Sequence, residues 1–303
     1  MLIIYTVCYN TPHYIEIQYK SLTKNVKDDF EYIVFNNTMT NQYIDKKNID
    51  NNNELINICK KLKIKFYDIT KDLFNNVYDN NASMRAGIAI DYSNKILFNN
   101  YDLTNTFFLL DSDAFLITEF NIEEFMQNKK ISGRIQLRKG LNEEVKYLTN
   151  QIVIYKPSLF EKDLFFNNFS FLPCIVDFNA NCDCGGKIHN ILKTLDLNKD
   201  FINWTNKLFT ETGNNKQLYG GSPSNKDDFD IAYIEDLDKD IKNLIVNDTK
   251  ILNKEFPFCE IFGNDYNKGV LFLHVRAGTN WINYNIKERN KNLFNYLNLF
   301  PTL

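Results

Sequence analysis

TFFLLDSDAFLI, residues 106–117, is the stretch on which the reading of the fold turns. Its first five residues are apolar or β-prone, as in a strand buried on both faces. Two aspartates come next, one residue apart, Asp111 and Asp113, around Ser112. Side chains alternate along an extended chain, so positions i and i+2 face the same way. Two carboxylates thus share the end of a strand, and open α/β sheets bind ligands at the carboxyl ends of their strands. At about 4 Å and an effective dielectric of about 20 the pair repels by roughly 4 kcal/mol, which a divalent cation, a basic side chain or a proton has to offset. Oxygen donors suit a hard cation such as Mg²⁺ or Mn²⁺. A solvated turn in which Asp113 caps the next element is the plainer alternative, and so short a motif leaves both open.

Upstream, the chain alternates in type. Residues 2–8 and FEYIVFN (30–36) read as buried strands, with a helical spacing over YIEIQYKSLTK (14–24) between them. NNNELINICKKL (51–62) reads as a helix, KIKFYDI (63–69) as a strand, and SMRAGIAIDYSNKIL (83–97) as a long helix with Asn81 or Ser83 as its N-cap. Strands alternating with helices predict an α/β fold, a Rossmann-like and mostly parallel central sheet with helices on both faces. Downstream the pattern loosens. NIEEFMQNKK reads as a short helix; ISGRIQL, NQIVIYKP, DIAYIED and GVLFLHV read as strands; GGKIHNILKTLD (185–196) reads as a helix entered through two glycines. No Gly/Ser/Pro-rich linker interrupts the chain. The expectation is one domain over 1–303, with a ligand-binding half to about residue 118 and a less regular half over about 119–303.

Composition narrows the classes. At 44% hydrophobic and 15% aromatic residues the chain can build a core, which excludes global disorder. A net charge of −3 makes a bare polyanion, and so nucleic acid, a poor partner. Met1 leads straight into LIIYTVCYN without a basic segment and long apolar run, and no apolar stretch reaches the ~20 residues of a membrane span. A soluble, cytoplasmic protein is expected. The six cysteines are too few for a disulfide scaffold in a chain of 303 residues. Cys174, Cys182, Cys184 and His189 raise a Cys₃His zinc site, against which C-x-C is tighter than the usual knuckle spacing; buried free thiols are the alternative.

The order of IIYTVCYN, EYIVFNNT, SMRAGIAI and FFLLDSDAFLI resembles the first half of a GT-A-fold glycosyltransferase, over about residues 1–118. The resemblance implies a nucleoside-diphosphate sugar as donor and a metal held by the D-x-D. Thr6, Cys8, Tyr9 and Asn10 stand where that family's first strand ends in a polar loop around the base. The resemblance implies UDP by default; Asn36 stands where an aspartate commonly contacts base or ribose, and that change of acid to amide leaves GDP open. Arg85 lies on the helix that often brings a basic residue to the diphosphate, with a surface salt bridge as its alternative. Asp113 is implied as a direct metal ligand, and Asp111, with Ser112, as a contact to ribose or to the metal shell. Such enzymes often add a histidine after the last core strand. His274 in GVLFLHVRAGTNW fits, which implies Mn²⁺ over Mg²⁺ and a C-terminal metal-binding loop. Arg276 and Trp281 would then cover the diphosphate or a sugar, or serve in ordinary packing. An inverting enzyme also needs a carboxylate base, and Asp183 in NCDCGGKIHNIL is the candidate, with helix capping as the alternative. The acceptor would be a glycan, lipid or protein hydroxyl.

Three rivals use the same letters. A haloacid-dehalogenase-like phosphatase would make Asp111 the nucleophile and Asp113 the acid, but Phe115 stands where Thr or Val is expected, and three strand–helix units precede the motif. A nucleotidyltransferase would carry a Gly-rich basic loop where the chain has YNTPHY. A non-catalytic nucleotide- or sugar-binding protein is the third.

Overall fold

The computed structural model describes residues 1–38, 46–74, 82–177, 179–219, 230–252, 259–263, 269–275, 291, 293 and 295–296. Its contacts fall into two units, neither of them continuous in sequence: residues 1–15, 27–112 and 121–203 in one, and 16–26, 113–120 and 204–303 in the other.

The first unit is built on a seven-stranded sheet. Its strands are β1 (Leu2–Cys8), β2 (Phe30–Asn36), β3 (Lys65–Asp68), β4 (Thr106–Leu110), β6 (Ile131–Gly133), β9 (Ile152–Tyr155) and β12 (Phe201–Asn203), ordered β12-β6-β9-β4-β1-β2-β3. Every neighbouring pair is parallel except the two made by β9. This is the expected α/β architecture with a mostly parallel sheet. β1 and β4 lie centrally and are buried almost throughout, so their continuous apolar runs match two covered faces. The helix Ala82–Asn100 buries Gly87, Ala89, Ile90, Ser93, Asn94 and Leu97. Its Asn94 Oδ1 accepts hydroxyl hydrogen bonds from Tyr5 (2.5 Å) and Tyr155 (3.0 Å), which satisfies two phenols inside the core. Ser83 lies inside this helix and does not cap it; Asn81 falls outside the described residues.

Two hairpins complete this unit: β7 (Ile135–Lys139) with β8 (Glu144–Leu148), and β10 (Cys174–Val176) with β11 (Ala180–Cys182). The helix expected over 185–196 is shorter than its pattern. A 3₁₀ turn covers Gly186–Ile188 and α-helix only His189–Leu192. The cause is tertiary: a Cβ on Gly185 would sit 1.9 Å from the Leu148 carbonyl oxygen, and one on Gly186 2.8 Å from the Cys182 Cβ. Gly185, at φ 93°, takes a conformation that glycine alone adopts readily. The two glycines answer to the neighbouring backbone.

The second unit holds a six-stranded sheet. β5 (Ala114–Leu116), β17 (Leu271–Val275), β16 (Cys259–Gly263), β13 (Thr205–Glu211) and β14 (Asn214–Tyr219) lie side by side in that order, and β15 (Asp230–Tyr233) also pairs with β13. β5 is the edge strand, and its carbonyls are not left bare. Gln18 donates to Ala114 O at 2.7 Å, Ser21 to Leu116 O at 2.6 Å and Asn25 to the same oxygen at 2.8 Å. Three buried polar side chains of the helix Pro12–Asn25 thus satisfy an edge that would otherwise be open to another chain. Phe120, Trp204 and Phe272 pack edge to face in a mutual trio with centroids 5.4–6.0 Å apart. Among the described residues no helix is long and apolar enough to cross a membrane.

Candidate metal centre

The turn after β4 carries the aspartates. The ladder with β9 runs one rung past the strand, where the Asp111 N–H donates to Gln151 O at 2.8 Å. The Asp111 carboxylate then accepts the Ser112 N–H at 2.9 Å, which folds the turn back on itself. Ser112, buried, has its hydroxyl 3.3 Å from that of Thr11. At Ala114 the chain enters β5, antiparallel to β17 with Ala114 opposite His274, and the Val275 N–H donates to Asp113 O at 2.8 Å. That register sets His274 beside Asp113, although the two are far apart in sequence.

Asp113 and His274 are 6% and 4% exposed, and Asp113 Oδ1 lies 3.2 Å from His274 Nε2. The two atoms are close without hydrogen-bond alignment, and Oδ1 has no hydrogen-bond partner. A buried oxygen in that state is costly unless something else engages it. Asp111, Asp113 and His274 each present one ligand atom, all within 4.8 Å of one another. At bond lengths of about 2.1 Å, cis ligands of a small divalent cation lie about 3 Å apart and trans ligands about 4.2 Å. The 3.2 Å pair already has the cis spacing. Among the described residues this is the group of His, Cys, Asp and Glu that could hold an ion.

The loop after β1 lies in the same unit as Asp111. Thr6 and Cys8 are fully buried; Thr6 Oγ1 has no hydrogen-bond partner, and Cys8 Sγ is 3.8 Å from Thr11 Oγ1. Asn10 is left-handed at φ 56°, which asparagine tolerates better than most residues. Its carbonyl accepts from Asn51 at 3.4 Å, while its own buried Oδ1 has no partner. The Arg85 guanidinium stands 5.9 Å from the centre of the Tyr9 ring, so those two predicted residues do meet. Asn36 is fully buried and spends its amide locally: Nδ2 donates to Asn52 at 2.6 Å and to Asp68 at 3.5 Å, and Oδ1 accepts the Thr38 N–H at 3.0 Å.

Asp183 is exposed, and its carboxylate accepts the N–H of the next residue, Cys184, at 2.8 Å. It does not cap the helix that starts at His189, whose N-cap position is Ile188. Cys184 is buried in the main core cluster, and its thiol is pushed well up, first by burial and then by the negative charge of Asp183, Asp111 and Asp91. Asp183 and Asp111 therefore act on one thiol. Thr149 Oγ1 and Gln151 Oε1, both buried and without hydrogen-bond partners, sit on the loop whose Gln151 carbonyl holds Asp111. Sequence patterns passed them over, since only the antiparallel register of β4 and β9 sets the Gln151 carbonyl against the Asp111 N–H. Asp91, also unforeseen, is pushed up to about 6 by burial, while hydrogen bonds from the Phe171 N–H (2.7 Å) and the Ser170 hydroxyl (2.6 Å) oppose the shift. Arg276 and Trp281 lie outside the described residues.

Solved structures similar to this chain are glycosyltransferases. The galactosyltransferase LgtC, solved with donor and acceptor sugar analogs, is 15% identical at a TM-score of 0.34, over 52% of this chain and 58% of its own. Mouse xyloside xylosyltransferase 1 is 9% identical at 0.39, over 66% and 84%. S. aureus TarS 1-349 with UDP-GlcNAc is 11% identical at 0.32, over 63% and 52%. The chain thus spans little more than half the length of the first of these. No protein-family model and no curated protein sequence matches it.

Proposed function

We propose that the chain is a metal-dependent glycosyltransferase that moves a sugar from a nucleoside-diphosphate donor, a UDP-sugar by preference, to a hydroxyl of a glycan, lipid or protein. The observation that carries this reading is the Asp111, Asp113 and His274 cluster at the carboxyl end of β4. Two carboxylates and an imidazole suit Mn²⁺ ahead of Mg²⁺. The buried Asp113 carboxylate, with Oδ1 3.2 Å from His274 Nε2, fits a ligand role, because an oxygen and a nitrogen donor already stand within reach of one ion. When bound, the ion supplies Lewis acidity and a template for the diphosphate leaving group.

The chain's own residues do the rest. Asp113 and His274 hold the ion directly; Asp111 holds it or, with Ser112, a ribose hydroxyl. Arg85, steadied on the Tyr9 ring, offers a planar fork to a phosphate. Asn10 brings an unpartnered Oδ1 to the base side, and Thr6, Cys8 and Asn36 set the ends of β1 and β2 that shape that loop. Asp183 is exposed enough to meet an acceptor and takes the proton from its hydroxyl as the glycosidic bond forms, which inverts the anomeric centre.

A thermal-unfolding panel with UDP, GDP, CMP and ADP, each with and without Mn²⁺, tests this. A nucleotide at 100 times its Kd adds about 2.7 kcal/mol, a rise of roughly 2–4 °C in Tm. The expected result is a rise for one nucleoside diphosphate that requires Mn²⁺, followed by sugar release from the matching donor. No rise with any nucleotide, or aryl-phosphate hydrolysis without one, would overturn the reading.

A further inference from the structure

Outside the metal centre, one cluster of reactive side chains has a defined geometry. The hairpin of β10 and β11 sets Cys174 directly opposite Cys182. Opposed residues of antiparallel strands have Cα atoms about 4.5 or 5.5 Å apart, and both values fall within the span of about 4.4–6.8 Å that a disulfide bridges. Both residues are free thiols, and the Cys182 thiol donates to Ala180 O at 3.7 Å. Cys184, two residues on, is buried in a different apolar cluster from Cys182 and takes no part.

The two thiols differ in a way that assigns roles. Cys182 is fully buried, and burial pushes its thiol up to about 11. Cys174 is only half-buried and is the more accessible residue of the two. Burial raises its thiol too, but the Lys187 ammonium pulls the other way, and His189 Nδ1 lies 3.9 Å from its sulfur. That ring nitrogen is also 3.1 Å from Gly186 O. The Cys174 sulfur therefore has an imidazole nitrogen near it, the charge of Lys187 acting on it, and Cys182 opposite it across the hairpin.

We propose that Cys174 and Cys182 form a thiol–disulfide exchange pair, Cys174 attacking and Cys182 resolving, with a low-molecular-weight disulfide such as oxidised glutathione as the oxidant. The Cys174 thiolate attacks one glutathione sulfur; the S–S bond of glutathione breaks, and one glutathione leaves as the thiol with the proton lost by Cys174. Cys182 then attacks the Cys174 sulfur of the mixed disulfide and expels the second glutathione as the thiol, with its own proton. Two cysteine thiols are oxidised to one disulfide, and one glutathione disulfide is reduced to two thiols. A single exchangeable bond of this kind is compatible with too few cysteines for a structural framework.

The test uses the full chain in native buffer with glutathione at a series of reduced-to-oxidised ratios, quenched by alkylation and mapped by peptide mass. The wild type is expected to lose two hydrogens in a bond mapped to Cys174 and Cys182, restored by dithiothreitol. Cys182→Ser should trap one glutathionyl group on Cys174, whereas Cys174→Ser should leave Cys182 reduced. A wild type that stays reduced while its urea-unfolded form oxidises, a bond mapped to another pair, or equal glutathionylation of the two variants would overturn the proposal. The wild-type result stands even where a variant folds poorly, and none of these readouts depends on catalytic activity.

Discussion

Replacing Asp113 by Asn keeps the side-chain volume and removes one charge from the cluster. With ligand atoms within 4.8 Å of one another, the carboxylates of Asp111 and Asp113 repel by about 3.5 kcal/mol at an effective dielectric of about 20. Against that relief stands the loss of the carboxylate contact to His274 at 3.2 Å, on the order of 1 kcal/mol. The metal-free variant is therefore expected to match the wild type or exceed it by up to about 2.5 kcal/mol. Mn²⁺ favours the wild type. The wild type gains about 2.7 kcal/mol at 100 times its Kd, and a variant whose affinity has dropped 100-fold gains only about 0.4 kcal/mol at the same concentration. Urea unfolding in EDTA and in Mn²⁺ reads all four values, and the wild type should gain about 2.3 kcal/mol more from Mn²⁺ than the variant does. An equal Mn²⁺ gain in both would remove the metal site. A metal-free variant more than about 1 kcal/mol less stable than the wild type would show that the two carboxylates are not in repulsion.

The same structure sets three further outcomes. His274→Gln should raise the Kd for Mn²⁺ at least tenfold, about 1.4 kcal/mol, in a titration read by the electron paramagnetic resonance of free Mn²⁺; an unchanged Kd would make His274 structural. Asp91 is held near 6 against an ordinary 3.8, so the folded state binds its proton more tightly than the unfolded chain does. Its contribution is present below about pH 4 and lost as pH rises through about 6, roughly 3 kcal/mol in all. Asp91→Asn, which can still meet Ser170 and the Phe171 N–H, should therefore gain on the wild type across that window in urea unfolding, and parallel pH profiles would refute the assignment. Gly185→Ala would place a methyl 1.9 Å from the Leu148 carbonyl oxygen at φ 93° and should cost at least about 2 kcal/mol, read from the urea midpoint; a neutral result would mean that this turn moves freely.

The sequence by itself determined the elements whose signal is local. The continuous apolar run at 106–110 is a central strand because burial on both faces demands apolar residues at every position, and the alternation of strands and helices before it leads to a parallel sheet. The pairing of Asp111 with Asp113 was legible for the same reason, two residues apart at a strand end. Long-range partners left a weaker trace. His274 could be nominated as the residue that ends an apolar run, but only the register of β5 with β17 sets it beside Asp113. Gln151 gave no signal, since its carbonyl meets the Asp111 N–H only because β9 runs antiparallel to β4. The glycines at 185 and 186 read as the entry to a helix, whereas the close approach of the Leu148 carbonyl and the Cys182 side chain to them gave no local signal. Cys174 and Cys182 were visible as letters, yet a hairpin turn was needed to set them opposite each other. The division is physical: periodicity records which side of an element is buried, while register and close approach are properties of two segments at once, and no single stretch of chain encodes them.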